Sequence, residues 1–592
     1  VREIVRIADE DAGGWRKKDI EERHRIMYDA ANRLGEMRGD LIGCMCAITG
    51  KTVVEGDVEV SEGIDYCRFY TTTMKKFLKL SDVDIKAKGT ILVISPWNFP
   101  CAIPVGGIVA GLAAGNTVIL KPATVAAPVA WLFAKAFWDA GVPREALQII
   151  ITDREALNTL TTAPEIKHII LTGGTETAQA ITRNNPLTPL SAETGGKNVM
   201  IITASADRDH AIMNACTSAF GNAGQKCSAC SLLLVERSVY NSEEFKTKLI
   251  DCATSLKVGS VWDAGNIVGP MITNKNEKLL HALEHLEPGE SWLVAPRFVD
   301  KKRYILAPTI KWGVKPGSYS FRTELFGPML SVCPFDTLDE AISLVNGLDY
   351  GLTSGIQSLD EKEQKKWKNS IMAGNLYINR GITGAIVNRQ PFGGMKLSAF
   401  GGGIKAGGPN YCSLFTYITD KPGSKTDYKK SYREAWEAEF AHARDWNKCF
   451  GEQNAFRYLP LKGGMALRLF KGDSDEAARM IALAAATAGT PLTISFDPTD
   501  DRTQSLAQTG ATLKKESLVD FLTDMPRYER IRTCSADIPK EMYQRAADTN
   551  KYIATAPPVK DGRVELIHYI KEQSISFEYH RYGSISEVPP VE

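Results

Sequence analysis

The stretch His168-Ile169-Ile170-Leu171-Thr172-Gly173-Gly174-Thr175-Glu176 reads as a buried strand, a glycine turn and the opening of a helix. Such a turn leaves backbone N–H groups free for an anion, a phosphate above all. It is not a complete GxGxxG, so alone it is a weak dinucleotide signal. Working outward, further β-rich runs stand at residues 90–94, 117–120 and 147–151, with helical lengths between them. Alternating strands and helices predict parallel strands with crossover helices, a doubly wound sheet. Ligands of such sheets lie beyond the carboxyl ends of the strands, so residues that directly follow the runs are the candidates for chemistry.

Upstream, residues 20–80 read as helical, because Met27, Ala30, Leu34, Met37 and Leu41 alternate in steps of three and four on one face. Residues 101–120 carry no charge and are long enough to cross a bilayer. Pro104, the glycines and Asn116 interrupt them, and they read as a buried helix followed by a buried strand. A second α/β stretch runs from about residue 216 to 400 and ends glycine-dense. Residues 421–446 read as a charged linker with an exposed helix. A further α/β unit starts at 456, with a strand at 466–470, a helix at 475–488 and a strand at 491–496.

The chain has 592 residues, 44% apolar and 24% charged, with 71 basic against 70 acidic side chains. That is a globular composition of several domains. A net charge of +1 argues against nucleic acid or an anionic membrane as partner. Twelve cysteines are too sparse for a disulfide scaffold and suit a reducing compartment, the cytoplasm. The first residue, Val1, suggests a processed or excised chain.

Cys227 stands in Gly221-Asn222-Ala223-Gly224-Gln225-Lys226-Cys227-Ser228. Small neighbours admit a ligand, and the adjacent Lys226 is expected to favour the thiolate; the alternative is a buried structural cysteine. Glu193, before Thr194-Gly195-Gly196-Lys197-Asn198, is a base at a strand mouth or a turn residue. Asn98, in Ser95-Pro96-Trp97-Asn98-Phe99-Pro100, is an oxyanion donor or an Asx turn. Lys121, ending another strand, reaches a ribose or stays in solvent. No His/Cys cluster suggests a metal: Cys227-Ser228-Ala229-Cys230 is half of a zinc site.

Taken in order, Trp97-Asn98-Phe99-Pro100, Lys121-Pro122-Ala123, Thr172-Gly173-Gly174-Thr175, Glu193-Thr194-Gly195-Gly196-Lys197, Gly224-Gln225-Lys226-Cys227, Glu324-Leu325-Phe326-Gly327-Pro328 and Pro391-Phe392-Gly393-Gly394 resemble the aldehyde dehydrogenase superfamily. The resemblance covers about residues 15–420. The run from Arg380 through Gly381-Ile382-Thr383-Gly384-Ala385 to Gly394 is similar to the anchor loop of glutamate-semialdehyde (pyrroline-5-carboxylate) dehydrogenases. The tail, Gly562-Arg563-Val564-Glu565-Leu566 to Tyr579-His580-Arg581-Tyr582-Gly583, resembles the end of bifunctional proline utilization A proteins.

The resemblance implies an aldehyde dehydrogenase fold: a doubly wound NAD-binding domain with N-terminal helices over 1–215, an α/β catalytic domain over 216–400, and an oligomerisation or linker segment over 401–455. A C-terminal α/β domain without an active site, ending in a lid-like tail, would fill 456–592. It implies Cys227 as nucleophile, Asn98 as oxyanion donor and Glu193 as activator of the hydrolytic water. Lys121, Thr172, Gly173, Gly174, Glu324 and Phe326 would bind NAD; Ser228, Gly384 and Ala385 would bind the substrate carboxylate. Two positions depart from the pattern: Gly174 replaces a serine, and Thr124 replaces a glutamate that discriminates the adenine ribose; the Thr124 departure leaves NAD favoured over NADP but less sharply. The implied reaction is oxidation of glutamate semialdehyde to glutamate in proline catabolism. A proline dehydrogenase part with FAD would precede Val1 in the parent chain, and a homo-oligomer is expected. The C-terminal unit opens a helix with Asp473, Ser474, Asp475 and Glu476, carboxylates that would repel a second dinucleotide. Its tail alternates at Val564, Leu566, His568 and Ile570, as a strand would, and is expected to dock on the dehydrogenase part.

Overall fold

The computed structural model describes residues 1–300, 304–581 and 584–585. Three helices, Ile20–Glu36, Arg38–Thr49 and Val53–Leu78, account for the helical reading of the first eighty residues; Met37 is where the first ends and the second begins. The uncharged stretch is a buried helix, Ala102–Ala113, and a buried strand, Thr117–Lys121. Among the described residues no helix is long and apolar enough to cross a membrane.

The first sheet has six strands, in the spatial order Ala399–Phe400, Leu190–Glu193, Ile166–Thr172, Thr90–Ile94, Thr117–Lys121, Leu147–Ile149. All are parallel except Ala399–Phe400. Strand order reverses between Thr90–Ile94 and Ile166–Thr172, which makes the gap beyond their carboxyl ends the ligand crevice of a doubly wound sheet. Asn98 and the Thr172-Gly173-Gly174 turn both leave the sheet there.

The second sheet has nine strands: Glu452–Pro460, Ile570–Glu578, Asn375–Ile378, Thr353–Gln357, Asn198–Ile202, Cys230–Glu236, Met329–Phe335, Thr309–Trp312 and Ser291–Val294. Its two edge strands run antiparallel to their neighbours. This membership differs from the expected boundaries. Asn198–Ile202, placed before 216, belongs to the second sheet, whereas Ala399–Phe400 returns to the first. Glu452–Pro460 straddles the boundary at 456 and lies in the second sheet, and Thr416–Asp420, inside the expected linker, pairs with Val83–Ala87. Pairing joins residues far apart in sequence, and a buried strand's composition does not say which sheet will take it.

The third sheet, Thr512–Lys515, Leu492–Phe496, Met465–Arg468, Arg530–Arg532, Ile553–Ala554, is wholly parallel. Its order is also doubly wound, yet its crevice is filled. Ser474 caps the Asp475–Thr487 helix, and Arg502 donates to the carbonyls of Phe470 and Asp473 and to Asp475 and Asp500.

The alternating run at 564–570 is not a strand. Gly562–Glu565 and Leu566–Tyr569 are helical turns, and the strand begins at Ile570. The turn sets Glu565 under Tyr569, four residues on, where its buried carboxylate takes both the Tyr569 hydroxyl (2.6 Å) and Arg532 (3.2 Å). Tyr582, Gly583 and 586–592 lie outside the described residues, as does the side chain of Arg581.

Candidate active site

Cys227 ends a loop that packing has fixed. Asn222 and Ala223 both have φ +53°, and Gly224 has φ +67°; a Cβ on Gly224 would stand 2.2 Å from the Gly327 carbonyl. Glycine there lets the cysteine loop press against the 324–328 loop. Asn198 donates to the carbonyls of Cys227 (2.6 Å) and Ala229 (3.0 Å). Asn98 is buried and donates to the Gln225 carbonyl (3.1 Å), so its amide spans from the first sheet to the cysteine loop and makes no Asx turn.

Lys226 does not do what its position suggests. Its ammonium pairs with Glu55 at 2.7 Å. The Cys227 thiol is pushed up to about 12 by burial and by Glu324 and Glu193, with the N–H groups of Ser228 and Cys227 offsetting part of the rise. Resting Cys227 is therefore a thiol, and a base must take its proton.

Glu193 closes the Leu190–Glu193 strand and accepts the Gly394 N–H at 2.9 Å. Burial pushes its carboxyl up to about 8, against the opposing pull of Lys405 and of that N–H. Cys227, Ser228, Glu193, Thr172, Gly384 and Ala385 line one cavity of about 160 Å³. Gly384 takes φ +112°, and its carbonyl accepts the Tyr377 hydroxyl at 3.1 Å, which fixes the loop.

The remaining candidates stand outside that cavity. Lys121 ends its strand half-buried. Glu324 accepts the Gly196 N–H at 2.8 Å and fills the space a Cβ on Gly195 would need, 2.4 Å from its carboxylate. Phe326, at φ +51°, meets Trp97 edge to face with centroids 5.8 Å apart. Cβ atoms on Gly173 and Gly174 would meet nothing nearer than 3.5 and 4.0 Å. Neither has a positive φ, and the Thr175–Asn184 helix they precede has no side-chain cap. No contact inside the chain calls for glycine at this turn; the Gly173 N–H donates to the Glu193 carbonyl at 3.1 Å, and the N–H groups from Gly174 onward face the crevice of the sheet, where a pyrophosphate fits. Cys230 is buried in the core cluster that holds Met200 and Cys216, and both Cys227 and Cys230 are free cysteines. No metal-binding group of His, Cys, Asp or Glu occurs among the described residues.

Sequence reasoning missed one wall. The Val53–Leu78 helix presents Glu55, Glu59, Glu62, Tyr66 and Tyr70 to the cavity. Their steps of three and four residues were a readable signal. Glu62 is pushed up to about 8 by burial and by Glu59; Glu59 itself holds Lys51 at 2.8 Å, both fully buried.

Fold and site define a class: a doubly wound domain facing, across one cavity, an α/β domain that carries a half-buried cysteine. The aldehyde dehydrogenase family model matches residues 1–420, and the chain belongs to that family. It is 33% identical over 435 residues to a 1-pyrroline-5-carboxylate dehydrogenase of Geobacillus sp. (strain WCH70), covering 69% of this chain and 83% of the relative. A solved 1-pyrroline-5-carboxylate dehydrogenase from Thermus with bound NAD superposes with a TM-score of 0.66 at 31% identity, over 70% of this chain and 84% of that one. Proline utilization A (PutA) from Corynebacterium freiburgense superposes with a TM-score of 0.87 at 36% identity. That match covers 98% of this chain, which spans 60% of the Corynebacterium protein.

Proposed function

We propose that this chain oxidises L-glutamate γ-semialdehyde, the open form of pyrroline-5-carboxylate, to L-glutamate with NAD. One observation carries the reading: Cys227 and Glu193 share a cavity with Ser228 and the Gly384–Ala385 loop, which are donors for a second carboxylate.

Cys227 is the nucleophile. Its proton passes to Glu193, a base whose affinity for protons is matched to neutral chemistry. Asn98 spends one amide proton on Gln225 and keeps the other for the oxyanion, together with the Cys227 N–H. The adduct on sulfur is a thiohemiacetal. NAD, when bound, supplies the two-electron acceptor that makes it a thioester. Once Glu193 has shed the thiol's proton to solvent it takes one from water; the resulting hydroxide adds to the thioester carbon, the C–S bond breaks, and the acid is released as Cys227 leaves. Ser228 and the N–H groups of Gly384 and Ala385 hold the substrate carboxylate; Glu62 faces the same space as a carboxyl that a substrate ammonium would ionise. Lys121 and Glu324 serve the riboses, Thr172, Gly173 and Gly174 the pyrophosphate turn, and Phe326 the nicotinamide side.

Similarity to PutA over nearly the whole chain supports two further readings. The parent protein carries a proline dehydrogenase with FAD, and the C-terminal unit serves the dehydrogenase as structure. Homo-oligomerisation and action in the cytoplasm belong to the same proposal. The deciding experiment is steady-state NADH formation with pyrroline-5-carboxylate, propanal and NADP as comparisons. Clear preference for pyrroline-5-carboxylate and NAD is expected. Cys227→Ala should abolish turnover and keep NAD binding; equal rates on both aldehydes would remove the substrate assignment.

A further inference from the structure

Lys405 is 1% exposed and contributes nothing to the cavity wall. Its ammonium donates to Asn375 Oδ1 at 2.8 Å and to the Gly393 carbonyl. The next N–H along, that of Gly394, is the one that binds Glu193. A Cβ on Gly393 would stand 3.0 Å from Glu193 Oε1 and 3.2 Å from Lys405 Cγ, so the two side chains press on this glycine together. On its other side Lys405 is tied to the far end of the chain. Its backbone N–H donates to Glu572 at 2.7 Å, and Asn410 donates to the second oxygen of that carboxylate, also at 2.7 Å. Glu572 lies on Ile570–Glu578, the strand between Asn375–Ile378 and Glu452–Pro460.

We propose that Lys405 is a positioning residue for Glu193, and that the C-terminal strand holds it in that role through Glu572; the proposal rests on the catalytic reading of Glu193 above. A buried ammonium without a carboxylate in hydrogen-bond contact is a costly object. It is kept where its charge favours ionised Glu193. Burial lowers Lys405 to about 8, while Glu193 and Glu572 counter the fall. The other titratable groups on Glu193 are the Cys227 thiol and the phenols of Tyr66 and Tyr411; on Glu572 they are Arg563 and the Tyr458 phenol. Lys405 is the cation among the groups facing Glu193, so removing it shifts the base in one direction only.

The test is the pH dependence of kcat in Lys405→Met, Lys405→Arg, Glu572→Gln and the unaltered protein. The Met variant should move the acidic limb, on which Glu193 must lose its proton, up by about one pH unit, a tenfold fall at neutral pH. KM should stay within about twofold, and activity should recover toward alkaline pH. Arg should restore most of the shift, and Glu572→Gln should move it the same way by less. A fall in kcat that is equal at every pH, with the midpoint unmoved, would make Lys405 structural and overturn the proposal. If the Met variant does not fold, Glu572→Gln carries the same readout. Failure of the substrate assignment is separable, since an enzyme active on propanal alone still yields these profiles. Wild-type turnover in Glu193→Gln would remove the base and this proposal with it.

Discussion

Lys226 and Cys227 are adjacent in sequence, and the structure sends their side chains to different partners. Sequence proximity located the nucleophile candidate through its glycine setting but misjudged its activation, because a lysine's long stem chooses its carboxylate in three dimensions. Glu193 and Asn98 were readable as strand-end residues; Glu193's raised proton affinity was not, since it comes from burial. The consequence for Glu193 has a definite sign. Its carboxyl rises from 4.5 to about 8, so the folded chain keeps a proton that the unfolded chain sheds. Stability from this group is intact below about 4.5 and is lost as pH rises toward 8. Glu193→Gln escapes that loss: its Tm should exceed the parent's by more at pH 9 than at pH 5. In stopped flow the same variant should form NADH slowly in the first turnover as well as in the steady state, because Glu193 takes the Cys227 proton as well as that of water. A first turnover at the parent rate would remove Glu193 from thiol activation, and steady-state turnover at the parent rate would remove it from hydrolysis. Asn98→Ala should lower kcat by roughly 10²–10³ with NAD affinity retained, the usual loss for one oxyanion donor.

Among elements, the two doubly wound sheets make a comparison. The first leaves its crevice open beyond Thr90–Ile94 and Ile166–Thr172, with glycines that nothing in the chain requires. The third has the same type of strand order and fills the crevice with Arg502. The sequence showed half of this difference, in the acidic helix start at Asp473–Glu476, because local charge is written in local residues. It did not show Arg502, which arrives from twenty-seven residues beyond the helix start, by a loop. Arg502→Ala should destabilise the C-terminal unit by roughly 2–4 kcal/mol, the scale of several charged hydrogen bonds lost together. It should not create a second NAD site, because Asp473, Asp475 and Asp500 remain. Equilibrium dialysis should still return one NAD per chain, and a second equivalent would show that Arg502 was the sole barrier.

On the scale of the whole molecule, the C-terminal strand is an internal part of the dehydrogenase. The tail was expected to dock; what it does is pair, parallel with Asn375–Ile378 and antiparallel with Glu452–Pro460. Its aromatic and polar pattern announced order, but nothing local could name its neighbours. The Asn375–Ile378 strand carries Asn375, which holds both the Gly393 N–H and the Lys405 ammonium. Removing residues 570–592 would therefore strip one side of a central strand and release Glu572's hold on Lys405. An unpaired strand with buried neighbours is also a template for another chain. The truncated protein should lose most NADH formation, melt at lower temperature and scatter light at concentrations where the intact protein does not. Added in trans, a peptide of residues 570–581 should recover part of the activity by refilling the vacant strand position. Kinetics, solution mass and Tm all unchanged by the truncation would mean that the nine-stranded sheet does not depend on its C-terminal strand.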